Sequence, residues 1–211
     1  MKRRTSIINT AISLLLTVAC VFVSAYLCNV YYKVNGFIVP ILFYLLGAVV
    51  FGFVNAVMHE VGHVIAYKKN KFYLLTVCIW FFKWTRINKK MRFDFTLIGE
   101  EAGYTEGVPM GVDNMEKRYK GTAWGGIIAS LIALLLGVGL MFTVGKVDVK
   151  VYCVLSMMLP VSAYYLFGNA LPMINGGAKN DGAVIICINK KDDSSKVTIA
   201  LLKAQARLFE G

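Results

Sequence analysis

Four stretches of this chain stay apolar for at least the width of a bilayer: residues 7–32, 37–67, 122–144 and 151–174. A helix crosses the hydrocarbon core with roughly 20 such residues, so each stretch predicts one span. The second exceeds one crossing, so its helix tilts or projects into water. Between the second and third stretches the pattern changes. Residues 68–121 open on Lys68-Lys69-Asn70-Lys71 and hold two shorter apolar runs. The run 72–82 is too short to cross as a helix and reads as a buried strand or a surface-lying segment. In 91–97, Met91, Phe93, Phe95 and Leu97 alternate with Arg92, Asp94 and Thr96, and a period of two predicts a strand. Asn88-Lys89-Lys90 reads as a turn between the two runs. A hairpin here either offers its edge to an incoming peptide or packs on the domain.

The end of the chain is helical in spacing. Over 195–209, Val197, Ala200, Leu201, Ala204 and Leu208 share one face, while Lys196, Lys203 and Arg207 share another. Asp193 or Ser194 is the expected cap. Such a helix lies on an anionic membrane surface or packs on the 68–121 insertion. No internal repeat or low-complexity linker divides the sequence. The fold class expected is an all-α transmembrane bundle of four spans, forming one membrane-embedded domain over 1–211. It carries a small β-hairpin-containing cytoplasmic insertion (68–121) and a cytoplasmic tail (183–211).

Composition agrees with a multi-span membrane protein: 57% of residues are hydrophobic and 17% charged. The net charge of +11 raises the question of nucleic acid, and its distribution answers it. With the N-terminus on one side and four crossings in turn, twenty of the 23 Lys and Arg share a side. Lys33, Lys146 and Lys150 alone fall on the other. That asymmetry is the positive-inside signal, so both termini are expected in the cytoplasm; the protein is expected to be integral to a bacterial cytoplasmic membrane. The bilayer is then the partner of the basic loops, and nucleic acid is not. Lys2-Arg3-Arg4 before an apolar run resembles a signal peptide, but the run is too long and lacks a small-x-small cleavage site. Cys20, after Thr17-Val18-Ala19, reads as a thiol inside an uncleaved helix. The five cysteines form no Cys-x-x-Cys pair, so buried thiols are expected and no disulfide framework.

The second span carries the chemistry. It contains His59-Glu60-Val61-Gly62-His63, and the chain has no other histidine. On a helix, His-Glu-x-x-His sets two imidazoles one turn apart on one face, where they can share a zinc ion, with the Glu as general base toward water. Ionisable groups at membrane depth are costly and are seldom found without a partner or a task. Advancing 100° per residue, Ala48, Gly52, Asn55, Ala56, Gly62, His63 and Ala66 fall within about 60° of His59. Val50, Phe53, Val54, Val57, Val61, Val64 and Ile65 form the opposite face. The histidines therefore point into the bundle along a stripe of small residues that permits close helix approach, and the bulky face suits acyl chains. Lys68 marks the cytoplasmic edge, so His59 lies roughly 13 Å along the helix from it, at 1.5 Å per residue.

Two histidines leave a zinc site one protein ligand short. The missing ligand must return to the same depth from another helix. Pro172 ends or kinks the fourth span, and Gly176-Gly177 allow a reversal that carries Asp181 back ahead of the apolar run 183–188. Asp192, Asp193 and Glu100 are the other candidates.

With His59, Glu60 and His63, then Asn169 and Pro172, then Asp181 and Gly182, the chain resembles the site-2 protease family of intramembrane zinc metalloproteases. Ala66 and the Gly125-Gly126 pair add to the likeness, which covers spans two to four. The spacing departs from the family pattern in one place: a Gly-rich insertion separates Pro172 from Asp181. The resemblance implies one Zn2+ per chain on His59, His63 and Asp181, Glu60 as general base, and Asn169 engaging the substrate or the developing oxyanion. The implied partner is a membrane-embedded or membrane-associated peptide or protein. Three other readings stand beside it. A catalytically silent zinc-binding scaffold or immunity-type protein fits less well with an intact Glu60 and Asn169. A transporter would spread polar residues over several spans. A membrane zinc protease of the prenyl-protein type would take its third ligand from a downstream Glu, for which Glu100-Glu101 is the nearby pair.

Overall fold

A computed structural model of the chain describes residues 3–33, 38–96, 103–175 and 178–210. Their order is α1 (Arg3–Tyr32), α2 (Ile38–Lys69), β1 (Phe72–Ile79), β2 (Phe82–Ile87), β3 (Lys90–Phe95), β4 (Gly103–Pro109), α3 (Met115–Met141), α4 (Val149–Ser156), α5 (Met158–Ala170), β5 (Ile174–Asn175), β6 (Ala178–Lys179), α6 (Asp181–Lys190) and α7 (Asp193–Glu210). Among the described residues, four helices are long and apolar enough to cross a membrane: Thr5–Tyr32, Pro40–Lys69, Met115–Met141 and Val149–Ala170.

The fourth of these is interrupted, where the sequence pattern predicts an unbroken span over 151–174. Pro160 has no N–H, so the Ser156 carbonyl loses its helical donor. The Ser24 hydroxyl of α1 lies 3.4 Å from that carbonyl, with its one hydrogen also within reach of the nearer Cys20 O at 3.0 Å. The chain steps through Met157 with a tighter bond from its N–H to Val154 O, and α5 begins. The span then ends at Ala170, because Leu171, preceding Pro172, is extended at φ −73° and ψ 130°. The third span runs two turns further toward its N-terminus than its apolar run and stops at Met141.

Small residues let α2 and α3 touch backbone to backbone. A Cβ at Gly62 would meet the Gly125 carbonyl, and one at Gly125 would meet the Gly62 carbonyl and the Ala66 methyl. Asn55, Ala56, His59, Gly62 and Ala66 are buried, while Val50, Val61 and Ile65 are exposed, as the helical stripe requires. Gly62→Val is expected to cost about 1–3 kcal/mol by overpacking. A thermal midpoint of purified protein equal to wild type would contradict this contact.

The insertion holds more than a hairpin. Among its described residues, four strands form an antiparallel sheet in the order β3-β2-β1-β4. The turn at Asn88-Lys89 is where the sequence places it, with φ of 50° and 65°, the positive values that a two-residue hairpin loop favours. The sheet does not hang from the end of α2. It lies along it: Leu74, Val77 and Ile79 pack on Ala56, Phe53, Val57 and Val64. Phe53, Val57 and Val64 thus face the sheet and not the outside, which corrects the simple two-faced picture of this helix. Trp80, at the β1–β2 turn, meets Gly52 and the Phe53 ring. Eight residues of strand at ~3.3 Å each span the same ~25 Å as the helix from Lys69 back to Gly52. Arg118 closes the junction, its guanidinium donating to the carbonyls of Asn70, Lys71, Met110 and Gly111.

Helix α7 is capped by Asp192, not by Asp193 or Ser194. Asp192 Oδ1 accepts the Ser195 N–H at 2.8 Å, and that bond holds the carboxyl below its ordinary pKa. The packed face also differs from the apolar stripe in the sequence. Ile199, Leu202 and Ala206 pack with Phe72, Met115 and Tyr119, leaving Val197, Leu201 and Leu208 exposed.

Candidate metal centre

His59 and His63 lie four residues apart on α2, so one helical turn brings their rings together. The two Nε2 atoms are 3.1 Å apart. Asp181, the first residue of α6, sets its Oδ2 at 3.5 Å from His59 Nε2 and 3.3 Å from His63 Nε2. One ligand atom from each of the three lies within 4.8 Å of the others, so the group could hold a metal ion.

The outer ring atoms are tied down. His63 Nδ1 is 3.0 Å from the Thr122 carbonyl, which only accepts, so Nδ1 carries a proton, and in the neutral ring that leaves the Nε2 lone pair for a cation. His59 Nδ1 is 2.9 Å from Ser130 Oγ on α3. Such second partners fix ring orientation and tautomer in metal sites. Asp181 Oδ2 is buried and makes no hydrogen bond among the described residues. A buried carboxylate oxygen facing two imidazole nitrogens is a donor set that a cation satisfies, so the residues present fit a metal.

Gly126 of α3 lies under the rings. A Cβ there would run into His63 Nε2 and come within 2.6 Å of His59 Cε1. Gly126→Ala is expected to weaken metal binding by about tenfold or more, as changes to supporting groups do elsewhere. Unchanged metal affinity in a chelator competition would contradict this geometry.

Glu60, one residue on from His59, turns toward the sheet and is buried there. Thr105 Oγ1 of β4 donates to Glu60 Oε2 at 2.7 Å. Gly103 lies over Oε1, where a side chain would not fit. Asn169, near the end of α5, donates through Nδ2 to Tyr165 O at 2.9 Å. All five residues singled out by sequence line one cavity of about 590 Å³, whose other walls include Tyr104, Tyr165 and Lys179.

The remaining candidates separate cleanly. Asp192 caps α7, and the exposed Asp193 pairs with Lys196 at 3.0 Å. Glu100 and Glu101 lie outside the described residues. The strand beside the site is β4, not the one read from 91–97. That strand, β3, is exposed at the opposite edge of the sheet, and Leu97 lies outside the described residues.

Sequence reasoning missed Ser130, Thr105 and Asn180. Nothing in the sequence singles out Ser130 or Thr105. Asn180 carries a signal, since Asn before Asp-Gly-Ala suits a helix start, and it is the N-cap of α6. The Gly-rich insertion is also explained. On either side of Gly176-Gly177, which lie outside the described residues, Ile174–Asn175 and Ala178–Lys179 pair as the antiparallel β5–β6 ladder, with Asn180 N–H bonded to Met173 O. Helix α1 holds this ladder through Ser6, which bonds both N–H and C=O of Ile174, and through Asn9, which donates to Pro172 O. No family model, curated protein or solved structure matches the chain.

Proposed function

We propose that this chain is an intramembrane zinc metalloprotease, similar in plan to the site-2 protease family. It hydrolyses peptide bonds of membrane-embedded or membrane-associated substrates near the cytoplasmic face. One observation carries the reading: His59 and His63 of α2 converge with Asp181 of α6, in the same cavity as Glu60, on a helix apolar enough to cross a membrane. Two imidazole nitrogens and a carboxylate oxygen are the three protein ligands of a catalytic zinc, which leaves one position open. Held there, zinc supplies Lewis-acid polarisation of a carbonyl and lowers the pKa of water toward ~7.

The chain's own groups do the rest. Glu60 takes a proton from the attacking water and delivers it to the leaving amine. The Thr105 hydroxyl fixes the carboxylate that does so. The Asn169 amide keeps a second N–H beyond the one given to Tyr165, available to the carbonyl oxygen as it gains charge. A helical substrate must unwind before its carbonyls are exposed. β4 pairs only with β1 among the described residues, so its outer edge can bind the extended form.

The positive-inside asymmetry orients α2 with Lys68 and Lys69 toward the cytoplasm. Its corollary changes the insertion's place. Because β1 runs back along α2 to the level of Gly52, the first hairpin sits at membrane depth beside the site. The rings of Phe82, Trp84, Phe93 and Phe95 form one aromatic surface continuous with Phe53. That surface faces acyl chains, and the β2–β3 ladder satisfies the backbone groups between these two strands, while the outer edge of β3 has no strand partner among the described residues.

Membranes from cells producing wild type or His63→Ala are compared by mass spectrometry of peptide N-termini. New termini within or beside membrane-spanning segments are expected with wild type only. Identical sets would contradict hydrolysis at this site.

A further inference from the structure

We infer that Asn180 is a positioning residue that clamps the end of α5 to the start of α6, so that Asn169 and Asp181 are held as one unit. The inference rests on the metal-centre reading above. Every hydrogen-bonding position of the Asn180 amide is used. Oδ1 accepts the N–H of Ala183 at 3.0 Å and of Met173 at 2.9 Å. Nδ2 donates to the carbonyls of Gly168 and Leu171, both at 2.6 Å. An amide has two donor hydrogens and two acceptor lone pairs, so the side chain is saturated.

The two arms do different work. The acceptor arm caps α6 at Ala183, a bond that Ser, Thr or Asp would also supply, and it takes the Met173 N–H besides. The donor arm answers a defect in the chain. Gly168 would receive its helical hydrogen bond from residue 172, and that residue is Pro172, which has no N–H. Asn180 fills the gap from the neighbouring helix. Asp has no donor, and a single hydroxyl hydrogen cannot serve two carbonyls, so this pair of tasks selects Asn. The two helix ends abut so closely that a Cβ on Gly182 would strike the Ala170 carbonyl. Gly168 precedes Asn169 and Asn180 precedes Asp181, so the clamp joins the backbone beside the substrate-facing amide to the backbone beside the third ligand. This join sets the backbone from which Asp181 reaches the two imidazoles, whose Nε2 atoms are the groups its Oδ2 faces.

The test uses full-length Asn180→Ser, which keeps the cap and removes the clamp. Zn2+ affinity by competition with a chromophoric chelator is expected to fall about 10–100-fold. At saturating Co2+, the ligand-field absorption bands are expected to shift from their wild-type positions, a signature that general loss of stability would not produce. Zn2+ affinity equal to wild type with unchanged Co2+ bands would overturn the clamp. Wild type that binds no Zn2+ would instead remove the metal reading, and the clamp with it. If Asn180→Ser does not accumulate as folded protein, hydrogen exchange of wild type decides. The Met173 and Ala183 amides, both bonded to Asn180 Oδ1, are expected to gain protection together when Zn2+ is added, and no gain would overturn the proposal.

Discussion

Glu60→Gln is expected to purify with the same metal content as wild type and to hydrolyse substrate on the order of 10²–10⁴-fold more slowly. The substitution is nearly isosteric. Gln still offers an oxygen to the Thr105 hydroxyl, which donates to Glu60 Oε2 at 2.7 Å. The fit beneath Gly103 is also kept. No ligand of the candidate centre is touched, since Glu60 is outside the His59–His63–Asp181 group. Only the ability to take up a proton is lost. Metal content is read by mass spectrometry of the digested protein, and turnover by the appearance of new peptide termini in reconstituted membranes. Wild-type turnover by this variant would eliminate Glu60 as the base. Loss of metal along with turnover would mean that its role is to hold the centre together.

Asp181→Ala is expected to abolish tight metal binding while leaving the fold in place. Removing one of three ligands leaves two imidazoles, and a two-ligand zinc site is not a stable protein centre. The fold should survive because the groups that Asp181 Oδ2 faces are the two imidazoles of the centre itself, and His59 and His63 keep their Nδ1 contacts to Ser130 and the Thr122 carbonyl. The cap of α6 belongs to Asn180 and is untouched. After dialysis against a chelator, occupancy should fall from about one metal ion per chain to below about 0.1, given how strongly affinity depends on a complete ligand set. Retained stoichiometric metal would exclude Asp181 as a ligand and turn attention to residues 97–102, which include Glu100 and Glu101.

The long helices were legible because an apolar run of bilayer length admits few other structures. Their ends were not, because the turns that extend α3 toward Met115 are amphipathic and look like loop. The histidine pair was legible because the i, i+4 spacing alone fixes both rings on one face, and the small-residue stripe told which way that face points. Asp181 was one of several candidates from the residues themselves, and the likeness to a family motif singled it out. Its approach to α2 runs through a short ladder, an N-cap and a carbonyl left bare by Pro172, which no periodicity encodes. The sheet was half legible. β3 alternates and β1 is apolar. β4, however, reads Gly-Tyr-Thr-Glu-Gly-Val-Pro, a turn-like composition with low strand preference. It is a strand because β1 offers it a partner, and because Gly103 and Gly107 let it lie against Glu60 and Tyr67. The exposed stripe on α7 is the opposite case: the periodicity was real, but burial fell on Ile199, Leu202 and Ala206, where Phe72 and Met115 wait.

X-ray absorption at the zinc edge, on full-length wild-type protein purified without added metal, addresses the centre itself. One zinc per chain is expected, with a first shell of nitrogen and oxygen at about 2.0–2.2 Å, the multiple-scattering pattern of two imidazoles, and no sulfur. Protein without stoichiometric zinc, or zinc bound through sulfur from any of the five cysteines, would contradict a centre built on His59, His63 and Asp181.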